Sequence, residues 1–325
     1  MTEVAARLRT LNWGAFGLHV ALLVALVVFY FVQYPRTSVQ LLTPATTPLP
    51  ADGRRDSSGL AAATCPESCT CWPSESLRND DLSIDLFGMT VAFSAITVFA
   101  HLVYATDCFG SGWYVEFVCQ RNCNPLRWVE YSITASLMST ILAVLAGLRI
   151  RNSVITIFLV TFLQMIQGYM VESALAAGRL QDTVAPLVVG WVALVTVWFS
   201  IYDAWYTGLQ EADDQAQECR RICAAASGGG GEDGTNAGPP SGLIHLISIV
   251  FVLFASFGVL NLVQVGIQAT GRRAAFHRFE TVYIILSFVA KALLIIWSLA
   301  SIFGGDLIWL QACGSADSCA CIPFA

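Results

Sequence analysis

The sequence predicts an all-α integral membrane protein, a bundle of seven transmembrane helices, and three observations lead to that fold class. Hydrophobic residues make up 56% of the 325 residues and charged residues only 12%, whereas soluble domains carry about 25% charged residues. The mean hydropathy is +0.63. Seven stretches are long enough to cross a bilayer as helices, which takes about 20 apolar residues. The formal net charge is −6 without a dense basic patch, so a nucleic-acid partner is not expected.

The predicted spans belong to one domain that covers residues 1–325. The first span is too long for a signal peptide, and no small-residue cleavage site follows it. In chain order the spans are Leu11–Tyr34, Leu82–Tyr104, Pro125–Gly147, Ser153–Ala176, Val184–Thr207, Gly242–Val265 and Phe276–Phe303.

Polar segments connect and follow the spans. Residues 35–81 form a long loop rich in Pro, Thr and Ser, and residues 304–325 form a cysteine-rich tail. Residues 209–241 include SGGGGEDGTNAGPPSG, whose composition is typical of a flexible linker. Its glycines are not followed by Gly-Lys-Ser/Thr, so it is not a phosphate loop.

The distribution of cysteines predicts the membrane orientation of the chain, whereas that of the arginines does not. Seven spans place eight arginines on each side, so the positive-inside rule ties on a raw count and favours a cytoplasmic N-terminus only if the long loops are discounted. Disulfides persist in oxidising compartments, so the cysteine-rich side is predicted to be extracellular or lumenal. The alternatives are scattered thiols or a metal cluster, although no histidine is near enough to complete a zinc site. The disulfide candidates, whose pairing the sequence cannot give, are Cys65, Cys69, Cys71, Cys219, Cys223, Cys313, Cys319 and Cys321.

Lys291, the single lysine of the chain, lies in the middle of the seventh span. A charged lysine at the centre of a bilayer costs at least about 2.5–3.5 kcal/mol, and this one is too deep for its side chain to reach either interface. Two interpretations remain open from the residues alone. Lys291 forms a structural ion pair, or its amine condenses with an aldehyde cofactor as a Schiff base.

A buried cation requires an anion, and Glu130 in NPLRWVEYS is the best candidate. Pro125 suits the first position of the third helix, and Arg127 lies one turn before Glu130 on the same face. We therefore expect Arg127 to point toward Glu130 and keep it ionised. The alternative is an interfacial Arg–Glu pair that only anchors the helix.

RWVEYSITAS in the third span and SFVAK in the seventh make the sequence similar to heliorhodopsin, a family of microbial-type retinal proteins. The resemblance spans all seven helices. It implies all-trans-retinal as cofactor, a cytoplasmic N-terminus, a small β-ribbon in the long first extracellular loop, and a homodimer. The cysteine-rich segments and the long linker before the sixth helix depart from the family pattern.

The resemblance also implies roles for single residues. Ordinary microbial pumps carry an aspartate one turn before the lysine. Here that position is Ser287, so Glu130 becomes the sole counterion of the Schiff base. His19 and His101 match the family's pair of intramembrane histidines, and with Asn124 they indicate a proton-accepting cavity on the cytoplasmic side. Tyr131 follows the counterion as it does in the family.

A long apolar slot is needed for a polyene of retinal's size. The residues expected to line it are Met138, Gln164, Met165, Trp191, Phe254 and Phe257. Aromatic residues at this spacing also occur in ordinary helix packing. Glu172, Asp203 and Glu280 lie near predicted helix ends, where solvation is the default, although Asp203 could relay a proton to the far side.

The expected function is light sensing without enzymatic activity. Photoisomerisation would weaken the contact between the Schiff base and Glu130, pass a proton to the cavity, and produce a conformational signal for an unidentified partner. The alternatives are a light-gated proton channel or transporter and a seven-helix receptor without retinal. One difficulty is depth, because Glu130 and Lys291 differ by about 15 Å along their helices at ~1.5 Å per residue. Their contact requires the third helix to begin below the membrane surface, with residues 106–124 folding inward.

Overall fold

Seven long helices dominate the fold, and the predicted seven-helix membrane bundle is confirmed. In this computed structural model the helices are α1 (Thr2–Val32), α2 (Leu86–Thr106), α3 (Pro125–Leu145), α4 (Arg151–Ala176), α5 (Val184–Ser227), α6 (Ser241–Ala269) and α7 (Phe276–Phe303). Each contains a segment long and apolar enough to cross a membrane. The structure describes residues 2–32, 38–44, 77–107, 112–148, 150–227, 241–270 and 276–303.

Two helices extend well beyond their predicted bounds. Helix α1 begins at Thr2 instead of Leu11, because the polar residues before the apolar run are themselves good helix formers. Helix α5 continues to Ser227, so the linker prediction was wrong for residues 209–227. That stretch is rich in Ala, Glu, Gln and Arg, which favour helix without an apolar face. Residues 228–240 lie outside the described part of the chain.

A two-stranded antiparallel ribbon precedes α2. Strand β1 (Ser38–Pro44) pairs with β2 (Leu77–Asp85), and the register is irregular between Gln40 and Leu42. The second strand occupies the first residues of the predicted span Leu82–Tyr104. Asp85 ends the strand and caps α2, where its carboxylate accepts a hydrogen bond from the Phe87 N–H at 3.0 Å.

Helix α3 is the centre of the bundle. In its apolar segment 83% of the residues are buried, against at most 50% in any other candidate span. Asn124 caps this helix, its side chain accepting from the Arg127 N–H at 3.2 Å, and Pro125 occupies the first turn. We call the end of the bundle where α1 begins the amino-terminal face. Helices α3, α5 and α7 also begin there, and the other end is the opposite face.

The connection between α2 and α3 folds into the amino-terminal face. It contains a helical turn at Trp113–Val115 and a π-helical segment at Glu116–Arg121. Tyr114 and Val118 are 1% and 0% exposed. Helix α3 therefore begins below this covering segment, which is the inward folding that the contact between Glu130 and Lys291 requires.

Candidate functional site

Lys291 of α7 and Glu130 of α3 form a buried ion pair between the Lys291 Nζ and the Glu130 Oε1. The two residues are 3% and 6% exposed. Thr97 of α2 donates to the same carboxylate oxygen at 2.9 Å, and Thr134 donates at 3.3 Å. Such a pair is maintained in a low-dielectric interior only when hydrogen bonds satisfy the remaining polar atoms. The two hydroxyl donors supply those bonds to Glu130.

Ser287 and Tyr131 flank the lysine. Ser287 lies one turn before Lys291 on α7 and is 4% exposed. The Tyr131 hydroxyl donates to the Tyr283 carbonyl at 3.1 Å, which fixes the tyrosine between α3 and α7. The Lys291 Nζ lies 5.3 Å from the centre of the Tyr131 ring. The Lys291 amine is therefore bounded by a carboxylate and by an aromatic face.

His19 and His101 lie side by side toward the amino-terminal face. Their ring centroids are 5.4 Å apart and their planes differ by 15°. His101 Nδ1 lies 3.0 Å from the Asn12 Oδ1, whereas neither ring nitrogen of His19 has a partner among the described residues. Thr97, which contacts Glu130, lies one helical turn from His101. Thr97 and His101 lie on one face of α2, so the predicted histidine pair lies one helical turn beyond the threonine that contacts Glu130.

Arg127 does not point at Glu130, and that prediction was wrong. Its guanidinium forms ion pairs with Glu172 of α4 and Glu280 of α7. All three side chains are at most 2% exposed, so the expectation that Glu172 and Glu280 are solvated at helix ends was also wrong. Two buried carboxylates require a cation more strongly than Glu130, which Lys291 already neutralises. Asp203, by contrast, is exposed.

Asn124 completes this Arg127 cluster. Its Nδ2 donates to the Glu280 Oε1 at 2.7 Å, and its backbone N–H donates to the Glu172 Oε1 at 2.5 Å. The sequence placed Asn124 in a cavity with the histidines. In the structure it lies instead beside the two glutamates, at the first turn of α3.

Asn12 and Tyr114 connect the histidines to the Arg127 cluster. The Asn12 Nδ2 donates to the Tyr114 hydroxyl at 3.1 Å, and that hydroxyl donates to the Glu280 Oε1 at 3.4 Å. Burial and the charge of Glu280 raise the pKa of Tyr114 well above its usual range, so the hydroxyl remains a donor. Asn12, Tyr114 and Thr97 were not predicted from the sequence. Only Thr97 carried a signal, its spacing of four residues from His101.

A small cavity of about 40 Å³ lies between α4, α5 and α6, beside Trp128 of α3. Sites for small molecules are typically about 300–1,000 Å³, so a cofactor bound here would move the lining side chains apart. The Tyr131 ring lies between Lys291 and this cavity, 5.3 Å from the Lys291 Nζ and 5.5 Å from the ring of Phe257, which lines the cavity. Met138, also predicted, is buried in the adjoining core and does not line the cavity. Five predicted residues line it, Gln164, Met165, Trp191, Phe254 and Phe257.

The cysteine predictions fall mainly outside the described residues. Cys65, Cys69, Cys71, Cys313, Cys319 and Cys321 lie in segments that are not described, and Cys219 and Cys223 lie on α5 where only the backbone course is given. Cys123 is a buried free thiol, and burial, together with the charge of Glu172, raises its pKa to about 12. Within the described segments, no group of three or more His, Cys, Asp or Glu side chains could hold a metal ion.

Residues 66–216 match the family model described as heliorhodopsin. A search among curated proteins found no match. Among solved structures, the chain is similar to the light-driven proton pump LR (Mac) from Leptosphaeria maculans, with 11% identity and a TM-score of 0.48, covering 90% of this chain and 94% of that one. The matched region includes α3 with Arg127 and Glu130, and it confirms the resemblance of this chain to heliorhodopsin, a family of retinal proteins.

Proposed function

We propose that this chain is a light-sensing membrane protein in which Lys291 holds all-trans-retinal and Glu130 is the sole counterion. The observation that carries the proposal is the buried contact between the only lysine of the chain and a carboxylate that no other cation pairs with among the described residues. Bound there as a protonated Schiff base, retinal supplies absorption of visible light and a light-driven change of shape.

The residues present fit that cofactor. The Lys291 amine is buried and directed at Glu130, and Tyr131 and Phe257 lead from it to a cavity lined largely by aromatic and apolar residues. Sites for apolar cofactors combine such walls with few polar groups. Lys291 would hold the cofactor, and Trp191, Phe254, Met165 and Gln164 would bound its far end.

The chain's own groups supply the proton chemistry. Glu130 stabilises the positive charge on the Lys291 nitrogen, and the Thr97 hydroxyl orients that carboxylate. When the contact with Glu130 weakens, the proton leaves the Lys291 nitrogen toward the amino-terminal half of the bundle. There the two histidines can accept it, and the free ring nitrogens of His19 favour this role. Asn12 and Tyr114 extend the hydrogen-bonded chain to Glu280.

A sensor is favoured over a proton channel or transporter because the buried proton acceptors among the described residues lie on one side of Lys291. Transport requires groups that relay a proton to both faces. Recording photocurrents under voltage clamp separates the two functions. A current that is abolished by Glu130→Gln would establish the channel or transporter, whereas the sensor predicts no current at any voltage.

Reconstitution with all-trans-retinal tests the cofactor. The purified protein is expected to become coloured, and borohydride reduction followed by peptide mass spectrometry is expected to place the adduct on Lys291. Lys291→Arg is the matched control, because it keeps a cation beside Glu130 but cannot form the imine. A colourless parent protein, or colour that persists in Lys291→Arg, would leave a seven-helix protein without retinal.

The colour of the pigment tests the counterion. In the ground state the positive charge is concentrated on the nitrogen beside Glu130. Neutralising Glu130 therefore raises the energy of the ground state more than that of the excited state, so Glu130→Gln is expected to shift the absorption to longer wavelength. Titration of the parent to acidic pH is expected to give the same shift, and the variant is expected to lack it. Glu116→Gln is the control, since Glu116 is exposed and pairs with Arg121. Equal spectra for the parent and Glu130→Gln would eliminate Glu130 as counterion.

Orientation and assembly complete the proposal. We place the N-terminus in the cytoplasm and the cysteine-rich loop and tail outside, joined by disulfides, and we expect a homodimer and an unidentified signalling partner. Protease protection of tagged termini in sealed vesicles tests the orientation. Peptide mapping without reduction tests the disulfides, and chemical cross-linking in membranes tests the dimer.

A further inference from the structure

Trp191 of α5 and Gly258 of α6 meet at the cavity, and both residues line it. A Cβ atom added to Gly258 would lie 2.9 Å from the Cζ2 and 3.1 Å from the Cε2 of the Trp191 ring. Carbon atoms pack favourably only at about 3.5–4.0 Å. The indole therefore occupies the space that any side chain at position 258 would need.

We propose that Trp191 and Gly258 form a size-matched pair that sets the width of the cavity and thereby determines the colour of the pigment and the retinal isomer it accepts. This inference rests on the proposed function, because it assigns the cavity to the ring end of the cofactor. The indole is rigid, so an added methyl group at 258 must displace the whole ring or the helix. Since Trp191 itself lines the cavity, its displacement changes the cavity's shape.

Other glycines show that this contact is not a general property of the helices. Gly190 lines the same cavity, yet a Cβ there would meet only the Gln167 Cβ at an ordinary 3.5 Å. Gly266 lies on the same helix as Gly258, and a Cβ there would meet nothing within 4 Å. Gly266, which does not line the cavity, distinguishes a shape effect at Trp191 from the general effect of replacing a helical glycine.

Gly168 makes a still closer contact, but it is a less specific probe. A Cβ at Gly168 would lie 2.2 Å from the Cζ3 of Trp128. Trp128 also contacts Tyr131 and Tyr283, with ring centroids 6.2 Å apart in both pairs. Because Tyr131 lies beside Lys291, a change at Gly168 would disturb the lysine and the cavity together. Gly258 is therefore the better position for a test.

The test uses the full-length protein with all-trans-retinal. Gly258→Ala is expected to take up retinal about tenfold more weakly, as overpacked sites do. Its pigment is expected to absorb at shorter wavelength, because a ring twisted out of the plane of the polyene shortens the conjugation. Chromatography of the extracted retinal is expected to show a changed isomer ratio. Gly266→Ala is expected to match the parent in all three measurements.

Compensation by a smaller ring makes the test specific. Trp191→Phe is expected to widen the cavity and change the isomer ratio, and Gly258→Ala combined with Trp191→Phe is expected to return the spectrum and the isomer ratio toward the parent. If Gly258→Ala does not fold, Trp191→Phe alone must still change the spectrum. A coloured parent whose Gly258→Ala and Trp191→Phe variants are spectrally unchanged overturns this inference and leaves the cofactor on Lys291. A colourless parent overturns both.

Discussion

The two halves of the bundle interior bury different chemistry. Among the described residues, the amino-terminal half buries the histidine pair, Arg127, Glu172 and Glu280 in one connected polar system. In its described part, the opposite half buries no charged side chain, and its buried hydroxyl groups include those of Ser94 and Thr140, which donate to carbonyls of their own helices. Lys291 and Glu130 lie at the boundary between the two halves.

In the proposed function, this difference would let the bundle move a proton without carrying it across the membrane. Hydroxyl groups that bond to their own backbone hold no charge near neutral pH. In the proposed mechanism, a proton that leaves the Lys291 nitrogen would therefore find acceptors, among the described residues, in the amino-terminal half alone. It would return by the route by which it left, and the lasting change would be one of charge and hydrogen bonding beneath the covering segment at residues 112–121. This favours a conformational signal at the amino-terminal face.

Removing the cation of the amino-terminal half is expected to give the largest effect. Arg127→Gln leaves Glu172 and Glu280 buried without a cation, and breaking a buried ion pair costs about 3–5 kcal/mol. Unfolding measured in detergent by circular dichroism is expected to show a loss of that size. Arg121→Gln is the control, because Arg121 and Glu116 pair at 2.6 Å with side chains 59% and 44% exposed, and exposed pairs contribute about 0–1 kcal/mol. Equal losses for both variants would contradict a buried Arg127 cluster.

The second comparison between the two halves concerns which groups accept the proton. His101→Ala removes the histidine that contacts both Asn12 and His19. The rate of deprotonation of the Lys291 nitrogen, measured by flash spectroscopy, is expected to fall about 100-fold, which is at the lower end of the range for loss of a positioned acid or base. Ser94→Ala in the opposite half removes only a bond to the Thr90 carbonyl and is expected to leave the rate unchanged. A slower rate in Ser94→Ala would show that the proton route reaches the opposite half.

The seven-helix fold was predictable because the length of an apolar stretch alone identifies a membrane-spanning helix. All seven helices were predicted, and the predicted bounds of the seventh span, Phe276–Phe303, agree with those of α7. The end of α5 was not, since residues past the apolar run remain helical through backbone propensity that hydropathy does not detect. The lysine and its carboxylate were likewise predictable, because a buried charge requires an opposite charge and few candidates existed.

The partners of Arg127 were not predictable, because they depend on depth and on contacts between distant helices. Glu172 and Glu280 lie near the ends of their apolar segments, where a sequence cannot distinguish a solvated acid from a buried one. The covering segment at residues 112–121 packs over that face, where Tyr114 and Val118 are buried. Asn12 and Tyr114 are joined by a hydrogen bond across about a hundred residues, a spacing without local periodicity.

One tyrosine hydroxyl in each half allows the smallest and most closely matched comparison. The Tyr114 hydroxyl connects Asn12 to Glu280 in the amino-terminal half, and the Tyr202 hydroxyl donates to the Ser248 Oγ at 3.1 Å in the opposite half. Replacing either tyrosine with phenylalanine removes about 0.5–1.5 kcal/mol of hydrogen bonding, so both variants are expected to unfold at similar, slightly lower temperatures.

Only Tyr114→Phe is expected to change the light response, because Tyr114 holds the covering segment to the polar system and Tyr202 does not. Hydrogen exchange of the amides at residues 112–121 is expected to be faster in Tyr114→Phe in the dark and to depend less on illumination. In Tyr202→Phe the exchange of these amides is expected to match the parent in both conditions. Identical exchange in both variants and the parent would mean that the amino-terminal cluster stores charge without moving the segment above it, and that the signal leaves the bundle elsewhere.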